Sequence, residues 1–466
     1  MFYDEIEGFR NNVALFLDQT NQIFYRDIVD ISEEFQKKIR RRSLTILITE
    51  NSIECICGYI SLLRGNNPLI LLDSRIRNKD LKFIIDKFAP HFIFCSISSQ
   101  KKLPNNLFNL IYSFKGFNLL KAKKNLSYKI NDQLMILIGT SGSLAEPKFV
   151  KLSYRNIHAN TQSIISYLNL KSSDRSITTM PMSYSYGFSV INTHLACGGS
   201  IAPNNYSLVD NKFWKFYSNS APSNINGVPF FYDILDKVGF EKILGKKLKF
   251  LTLAGGKVEK KTFQNIANNC LQNDISFFLM YGQTEASPRI SYHKVAKEDL
   301  DKNNIPIGKA IPEGQIILRS DSDLIIKDQN IEGELIYKGK NIFGGYAKSY
   351  EDLNSFDNKL ELKTGDIGIK NKDGNFYITG RKNRFVKIYG YRVNLDYLEE
   401  KLSSKDSTVA CIGINEKIYI FLSKKMSKME SIIDLPKNTY SVLVLKKFPL
   451  NDNGKISYND LANMVS

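Results

Sequence analysis

Several common signatures of structure and function are missing from this sequence of 466 residues. No apolar run approaches the roughly 20 residues that a membrane-spanning helix needs, so the sequence predicts no membrane span. The two common nucleotide-binding loops, GxxxxGK[ST] and GxGxxG, are also absent, which argues against the folds that carry them. Internal repeats and low-complexity tracts are absent too. These absences together predict a globular protein without a repeat architecture.

Cysteine is scarce and scattered. The six cysteines include one close pair, Cys55 and Cys57, and no CxxC or HxxxH arrangement accompanies them. On the helix predicted there, the two side chains would point in different directions. A metal site or a disulfide is therefore disfavoured, and we expect reduced, mostly buried thiols.

Acidic residues are outnumbered by basic ones, which gives a formal net charge of +17. The positive charge is spread along the chain, with short clusters at residues 37–42 and 246–249 and no aromatic-interleaved recognition motif. We therefore expect a solvated basic surface and no nucleic-acid partner, the alternative being a field that attracts a polyanionic ligand or an acidic protein partner. The acidic first residues do not resemble a secretory or transit signal, so we expect a cytoplasmic protein.

The chain is long enough for two or three lobes with a substantial core. Its first part alternates predicted strands, such as residues 43–49, with helices, such as the one that begins near Ile53 and ends at Gly65. Later strands at residues 249–253 and 275–280 each end before a glycine-containing loop, where open sheets bind ligands. This alternation indicates a layered α/β fold.

The pattern changes after Glu313 to short β runs separated by Gly, Asp and Asn. We interpret residues 313–382 as a β-rich subdomain of an N-terminal domain that spans residues 1–382. Residues 383–466 then show a hairpin, a helix and three strand-like runs, which predict a compact α+β lobe. The predicted domains are therefore 1–382 and 383–466.

Residues 139–150 form a hydroxyl-rich loop, Gly-Thr-Ser-Gly-Ser-Leu-Ala-Glu-Pro-Lys-Phe-Val. It follows an apolar strand and precedes a helix-like stretch, so we expect a strand-to-helix connection. Small side chains, hydroxyl groups and the ammonium of Lys148 suit a cluster of anionic oxygens such as nucleotide phosphates. Taken alone, the same composition is also typical of an ordinary turn.

Four further motifs follow the loop in order: Tyr281-Gly-Gln-Thr-Glu285, Leu362-Lys-Thr-Gly-Asp366, Gly380-Arg381 and Asn453-Gly-Lys455. Together with the loop they resemble the acyl-activating, adenylate-forming enzymes, which include acyl-CoA synthetases, peptide-synthetase adenylation domains and luciferases. The resemblance covers nearly the whole chain. It implies a large multi-lobed N-terminal α/β domain and a small mobile C-terminal domain.

The resemblance also implies an activity, in which ATP activates a carboxylic acid as an acyl-adenylate. The acyl group then passes to a pantetheine thiol, of either an acyl carrier protein or CoA. Glu285 would ligate Mg²⁺, Thr284 would touch the α-phosphate, and Asp366 would accept hydrogen bonds from the ribose hydroxyls. The remaining residues implied to bind the nucleotide are Thr140, Ser141, Gly142, Ser143, Lys148, Gly255, Gly256, Tyr281, Gly282 and Arg381.

The resemblance implies three catalytic residues, Thr284, Glu285 and Lys455. It implies that the small lobe inserts Lys455 between the attacking carboxylate and the α-phosphate, where the lysine stabilises the transition state. The lobe would then rotate about a hinge at Asn383 and present the hairpin at residues 387–392. Relatives usually carry Asp or Lys at the hinge.

The substrate pocket is implied by the segment from Pro181, which contains Tyr184, Tyr186 and Gly187, together with Phe230. Tyr184 stands where many relatives carry His. No Asp or Glu occurs between Arg175 and Val209, and a buried ammonium without a carboxylate partner would be costly. The sequence therefore favours a carboxylic acid without an α-amino group.

Three residues of the loop depart from the family pattern: Leu144, Ala145 and Phe149 replace Thr or Ser, Gly and Gly. A weaker or altered grip on phosphate is expected, because Ala restricts the backbone where Gly is free. Two rival functions remain, an amino-acid adenylation enzyme and a non-catalytic relative that binds a nucleotide or a partner.

Replacing Lys455 with alanine should abolish acid-dependent exchange of ATP with pyrophosphate. Transfer from a supplied acyl-adenylate to the thiol should be retained, because that step uses the other position of the lobe. Both half-reactions can be measured separately. Equal loss of the two would contradict the two-position scheme.

Overall fold

The computed structural model describes residues 2–104, 106–124, 126–139, 148–245, 247–302, 304–388, 391–403, 407–414, 417–424, 426, 433, 435–450 and 456–465. The chain forms two compact units, Met1–Ile316 with Tyr337–Leu362, and Ile317–Ile336 with Lys363–Ser466. The sequence-based division at residue 382 remains a prediction. None of the helices in the described ranges combines the length and apolar character that crossing a membrane requires.

Strands and helices alternate over the first 139 residues, as predicted. They are α1 (Phe2–Glu5), β1 (Val13–Phe16), β2 (Gln22–Phe24), α2 (Tyr25–Lys38), β3 (Thr45–Thr49), α3 (Ile53–Arg64), β4 (Leu69–Asp73), α4 (Asn78–Phe88), β5 (Phe92–Ser96), α5 (Ile97–Gln100), β6 (Phe108–Phe114), β7 (Phe117–Ala122) and β8 (Leu134–Gly139). The Ser52 side chain caps α3 by accepting a hydrogen bond from the Cys55 amide, and Gly65 follows its end.

The middle of the chain continues the alternation. Its elements are β9 (Phe149–Ser153), α6 (Tyr154–Leu168), β10 (Arg175–Ile177), α7 (Ser185–Ala196), β11 (Ser200–Ala202), α8 (Asn211–Ser220), β12 (Asn224–Gly227), α9 (Pro229–Val238), β13 (Phe250–Leu253), α10 (Lys260–Gln272), β14 (Ser276–Gly282), β15 (Arg289–Lys294) and β16 (Lys309–Ala310). The Ser153 side chain caps α6 by accepting a hydrogen bond from the Asn156 amide.

Short strands dominate the remainder, again as expected. The elements are β17 (Gln315–Arg319), β18 (Ile325–Ile326), β19 (Gly333–Lys338), β20 (Tyr346–Ala347), β21 (Leu362–Lys370), β22 (Phe376–Arg381), β23 (Phe385–Ile388), β24 (Tyr391–Asn394), α11 (Leu395–Leu402), β25 (Val409–Ile414), β26 (Lys417–Leu422), β27 (Tyr440–Val444) and α12 (Tyr458–Asn463). The predicted hairpin is the β23–β24 pair, whose turn at residues 389–390 lies outside the described residues.

An eight-stranded sheet in the first unit has the order β20-β9-β8-β4-β3-β5-β7-β6. Strands β8 and β9 pair antiparallel, so the hydroxyl-rich segment joins two strands, and the expected strand-to-helix connection was wrong. The sequence obscured β9 because Lys151 interrupts its apolar residues. That ammonium donates to the carbonyl oxygens of Asp352 (3.1 Å) and Ser355 (2.9 Å), which lets a charged residue occupy a buried strand.

A nine-stranded sheet in the same unit has the order β16-β15-β14-β13-β12-β10-β11-β1-β2. Its six central strands, from β14 to β1, run parallel. The loops after β10, β13 and β14 therefore leave the sheet at one edge, the carboxyl edge. This is the edge where open parallel sheets bind ligands.

The second unit contains a five-stranded sheet with the order β18-β17-β19-β21-β22 and a three-stranded sheet with the order β25-β26-β27. Leu395, Leu398 and Leu402 of α11 are buried against residues of the three-stranded sheet. Arg384, next to the predicted hinge residue, donates to Asp396 (2.7 Å) and pairs with Glu399, which also accepts from the Tyr458 hydroxyl (3.0 Å). This cluster joins α11 to α12.

The packing of α3 on β5 requires glycine at one position of the helix. A Cβ on Gly58 would stand 2.0 Å from Cε1 of Phe94, whereas a Cβ on Gly8 would meet nothing within 4 Å. Gly58→Ala should therefore lower the free energy of unfolding by about 1–3 kcal/mol through overpacking. Gly8→Ala should change it by less than about 0.5 kcal/mol. Urea denaturation of both variants checks this, and equal stability would contradict the packing.

Candidate active site

Tyr346 brings together two of the predicted site residues. Its hydroxyl donates to Oε1 of Glu285 over 2.8 Å. The ammonium nitrogen of Lys148 lies 4.1 Å from the centroid of the same ring, close enough for a cation–π interaction. The cation from the end of the hydroxyl-rich loop and the predicted metal ligand therefore contact one side chain.

Backbone pairing holds this tyrosine in place. In β20, Tyr346 pairs with Val150 of β9, and Lys148 immediately precedes β9. The amide of Phe343 donates to the Glu285 carbonyl over 2.9 Å. Burial and the Glu285 carboxylate raise the pKa of Tyr346 above its ordinary value, so its hydroxyl remains a donor at neutral pH.

The Tyr281–Glu285 motif spans the end of β14 and the turn that follows. A Cβ on Gly282 would stand 1.8 Å from the Pro288 carbonyl oxygen, so only glycine fits here. Beyond it, the Thr284 hydroxyl lies 3.2 Å from Oγ of Ser185, the first residue of α7. Tyr281 is half-buried at the strand end, and its contact with a purine remains a prediction.

The glycine pair after β13 lies against the predicted pocket. Gly255 has φ of +88°, and a Cβ there would stand 2.6 Å from the Tyr184 hydroxyl oxygen, so both conformation and space require glycine. Gly256 is exposed, and Pro229 of α9 lies beside it. Phe230 is 69% exposed at the start of α9. Tyr184 is 36% exposed, so these side chains border solvent.

Tyr186 and Gly187 lie deeper, on α7. The Tyr186 hydroxyl contacts Oγ1 of Thr252 (2.5 Å) and donates to its carbonyl oxygen (3.1 Å). Thr252 donates to Asn226 over 2.6 Å, and the Asn226 amide donates to Oδ1 of Asn224 over 2.9 Å. A buried chain of hydrogen bonds thus runs beneath the pocket.

His194 terminates this chain. Its Nδ1 lies 2.8 Å from the Val190 carbonyl and its Nε2 lies 2.9 Å from the Asn224 amide nitrogen. Burial lowers the pKa of His194, so we assign the neutral ring with the proton on Nδ1. The chain is then satisfied without a charge, which a buried network requires.

Asp366 and Arg381 form an ion pair within the second unit. They are cross-strand partners in β21 and β22, and Nε of Arg381 donates to Oδ1 of Asp366 over 2.9 Å. The Asp366 side chain is 7% exposed and that of Arg381 is 67% exposed. The structure thus pairs two of the predicted nucleotide-binding residues, one buried and one facing solvent.

Several predicted residues lie outside the described part of the chain: Thr140, Ser141, Gly142, Ser143, Leu144, Ala145 and Lys455. The side chain of the predicted hinge residue, Asn383, is likewise not described. Phe149, the third loop departure, is a buried core residue of β9 that packs edge-on against Phe88 at 5.2 Å. Packing therefore accounts for this aromatic residue.

The metal assignment rests on one carboxylate. Among the described residues, no three His, Cys, Asp or Glu side chains form a metal-binding cluster. Mg²⁺ fits the site nevertheless, because it is usually bound through one or two carboxylates together with substrate phosphates. Glu285 accepts one hydrogen bond from Tyr346, and a carboxylate has capacity for further ligands.

Three residues near the site were missed by the sequence analysis: Tyr346, Ser185 and Arg289. Tyr346 follows Gly344 and Gly345, a weak signal of close backbone approach. Arg289 stands four residues after Glu285 and is buried; a charged residue at the start of a β run was the available signal. Ser185 had no distinguishing pattern.

Comparison with known proteins gives a family match and several sequence relatives. The family model described as "AMP-binding enzyme" matches residues 6–347. D-alanine--D-alanyl carrier protein ligase of Staphylococcus aureus (strain Newman) is 22% identical and covers 96% of this chain and 95% of its own length. Bacitracin synthase 2 of Bacillus licheniformis is 24% identical over 96% of this chain, which spans 18% of that protein.

Two solved structures share the fold. The o-succinylbenzoate CoA synthetase MenE from Bacillus subtilis, in complex with its acyl-adenylate intermediate, has a TM-score of 0.77 at 18% identity and covers 99% of this chain and 97% of its own. ATP-bound MatB from Rhodopseudomonas palustris has a TM-score of 0.78 at 17% identity, with coverage of 99% and 98%. The predicted α/β fold with several sheets is confirmed.

The buried hydrogen-bond chain can be tested through its centre. Thr252→Val keeps the side-chain shape but leaves Tyr186 and Asn226 without the hydroxyl, which should lower the free energy of unfolding by about 1–3 kcal/mol. Thr49→Val is the matched control, since that buried hydroxyl also lies on a strand and donates to a backbone carbonyl, so that its loss should cost less. Chemical denaturation measures both, and a smaller effect at Thr252 than at Thr49 would contradict the network.

Proposed function

The chain belongs to the AMP-binding enzyme family, and we propose that it is an ATP-dependent acid–thiol ligase. It activates a carboxylic acid as an acyl-adenylate and transfers the acyl group to a pantetheine thiol. The observation that carries this proposal is the contact of Lys148 and Glu285 with Tyr346, beside the Thr284 hydroxyl. A cation, a metal-binding carboxylate and a hydroxyl donor are the groups that a triphosphate needs.

In the proposed complex with ATP, the positive charge of Lys148 attracts the negatively charged phosphates. At an effective dielectric constant of about 20, two unit charges 4 Å apart interact by about 4 kcal/mol, so one ammonium has a large effect on a polyanion. Glu285 would hold Mg²⁺, and the metal would supply positive charge to the phosphate oxygens. We propose that Asp366, which pairs with Arg381, accepts hydrogen bonds from the ribose hydroxyls.

The first half-reaction joins two anions. A carboxylate oxygen of the acid bonds to the α-phosphorus, the bond from that phosphorus to the bridging oxygen breaks, and pyrophosphate leaves. Thr284 donates to the α-phosphate, and Lys455 neutralises the charge that gathers in the transition state. In the second half-reaction the thiolate sulfur attacks the acyl carbon and AMP leaves.

The acceptor that we propose is a carrier protein, with CoA as the alternative. Similarity to a carrier protein ligase over 95% of that protein's length supports this choice. The acid that we propose lacks an α-amino group, because residues 175–209 contain no Asp or Glu. The second candidate, amino-acid adenylation, is favoured by one observation, the similarity to a ligase whose name specifies D-alanine.

Acid-dependent exchange of labelled pyrophosphate into ATP tests the proposal. Fatty, aryl, hydroxy and amino acids should be compared, and at least one non-amino acid should support exchange. Glu285→Gln should raise the Mg²⁺ concentration for half-maximal exchange by about 10-fold or more, because a metal ligand is lost. An unchanged magnesium dependence would remove Glu285 from the site.

Two outcomes would change the assignment. Exchange supported only by amino acids would establish the second candidate. Failure of every acid, together with retained binding of ATP, would identify a non-catalytic nucleotide-binding relative. Adding CoA or candidate carrier proteins to the active mixture then identifies the acceptor by the thioester formed.

A further inference from the structure

Arg289 is a buried cation beside the pocket. It is 2% exposed, and its Cζ lies 4.6 Å from the centroid of the Tyr186 ring. Nη2 donates a long hydrogen bond of 3.4 Å to Oγ of Ser189. Nε is buried and has no hydrogen-bond partner among the described residues.

The described part of the chain supplies no carboxylate partner for this guanidinium. Among the residues that the structure describes, no Asp or Glu forms an ion pair with Arg289. Burying an ion is costly, and a cation–π contact with one ring offsets only part of that cost. A bound anion would offset more of it.

The neighbours of Arg289 lead outward to the pocket. The Tyr184 and Tyr186 rings meet edge-on at a centroid distance of 6.5 Å, and Tyr184 is partly exposed. Burial raises the pKa of Tyr184, and the positive charge of Arg289 opposes that rise. The field of the guanidinium thus reaches the side chain that borders solvent.

Helix α7 sets the distance from Arg289 to the reacting centre. Ser185 contacts Thr284, and Ser189, one turn later on the same face, contacts Arg289. Four residues of helix span about 6 Å. An acid activated beside Thr284 would therefore place a second polar group near Arg289 if its chain were short.

We propose that Arg289 determines specificity by pairing with a second anionic group of the acid, so that the substrate is a short dicarboxylic acid. This inference rests on the proposed function. One carboxylate is adenylated beside Thr284, and the other accepts hydrogen bonds from the free Nε and from Nη2 of Arg289. The same charge repels an α-ammonium group, which disfavours amino acids.

Pyrophosphate exchange with matched acid pairs tests the proposal on the full-length enzyme. The pairs are succinate and butyrate, glutarate and valerate, and adipate and hexanoate. The wild type should give a higher kcat/KM with the dicarboxylic member of at least one pair. Arg289→Met keeps an apolar stem over Tyr186 and should lower kcat/KM for that dicarboxylic acid by at least about 100-fold, with little loss for its monocarboxylic partner.

Two further variants separate recognition from folding. Arg289→Lys keeps the charge and should retain part of the preference. Arg26→Met is the matched control, because Arg26 lies 4.6 Å from the Phe24 centroid on the surface, and it should leave the preference unchanged. If Arg289→Met does not fold, the substrate preference of the wild type and of Arg289→Lys still tests the role of Arg289.

The outcomes distinguish this inference from the proposed function. Equal use of both members of every pair by the wild type, or equal loss of both in Arg289→Met, would overturn the role of Arg289 and make it a structural cation. Exchange with monocarboxylic acids would then still support the proposed ligase activity. Failure of every acid in the wider panel would overturn both.

Discussion

The contact of Lys148 and Glu285 with one tyrosine is the interaction on which the site depends. Lys148 precedes β9, Glu285 follows β14 of the other large sheet, and Tyr346 belongs to β20, so three distant segments meet at one ring. The ring attracts the ammonium while the hydroxyl satisfies part of the carboxylate. Charges of opposite sign are thereby held close to each other, yet remain available to a ligand.

Strand direction explains why the remaining groups lie nearby. Parallel strands β10, β13 and β14 end at the same edge, so the loops bearing Tyr184, Gly255 and Thr284 converge there. Beneath this edge, a hydrogen-bond chain from Tyr186 to His194 is satisfied without a net charge. Arg289 is the exception, a buried cation without an ion-pair partner among the described residues.

Much of the fold could be predicted from the sequence because its strands and helices follow their expected periodicities. Helix α3, which ends before Gly65 as the sequence predicts, and helix α11 are examples. Strand β9 could not be predicted, since Lys151 breaks its apolar pattern and is stabilised by carbonyls about 200 residues away. Tyr346 and Arg289 were missed for the same reason: their roles arise from contacts with residues distant in sequence. The motifs identified Glu285 but not its partner Tyr346. They identified Asp366 and Arg381 but did not predict that these two residues form an ion pair.

The most direct test of the central claim is calorimetric binding of MgATP to a double-mutant cycle of Tyr346→Phe and Glu285→Ala. If the tyrosine hydroxyl acts by orienting Glu285, Tyr346→Phe should weaken binding in the wild-type background and have little effect when Glu285 is already absent. Additive losses in affinity would contradict the account, because they would mean that the two residues act on the nucleotide independently.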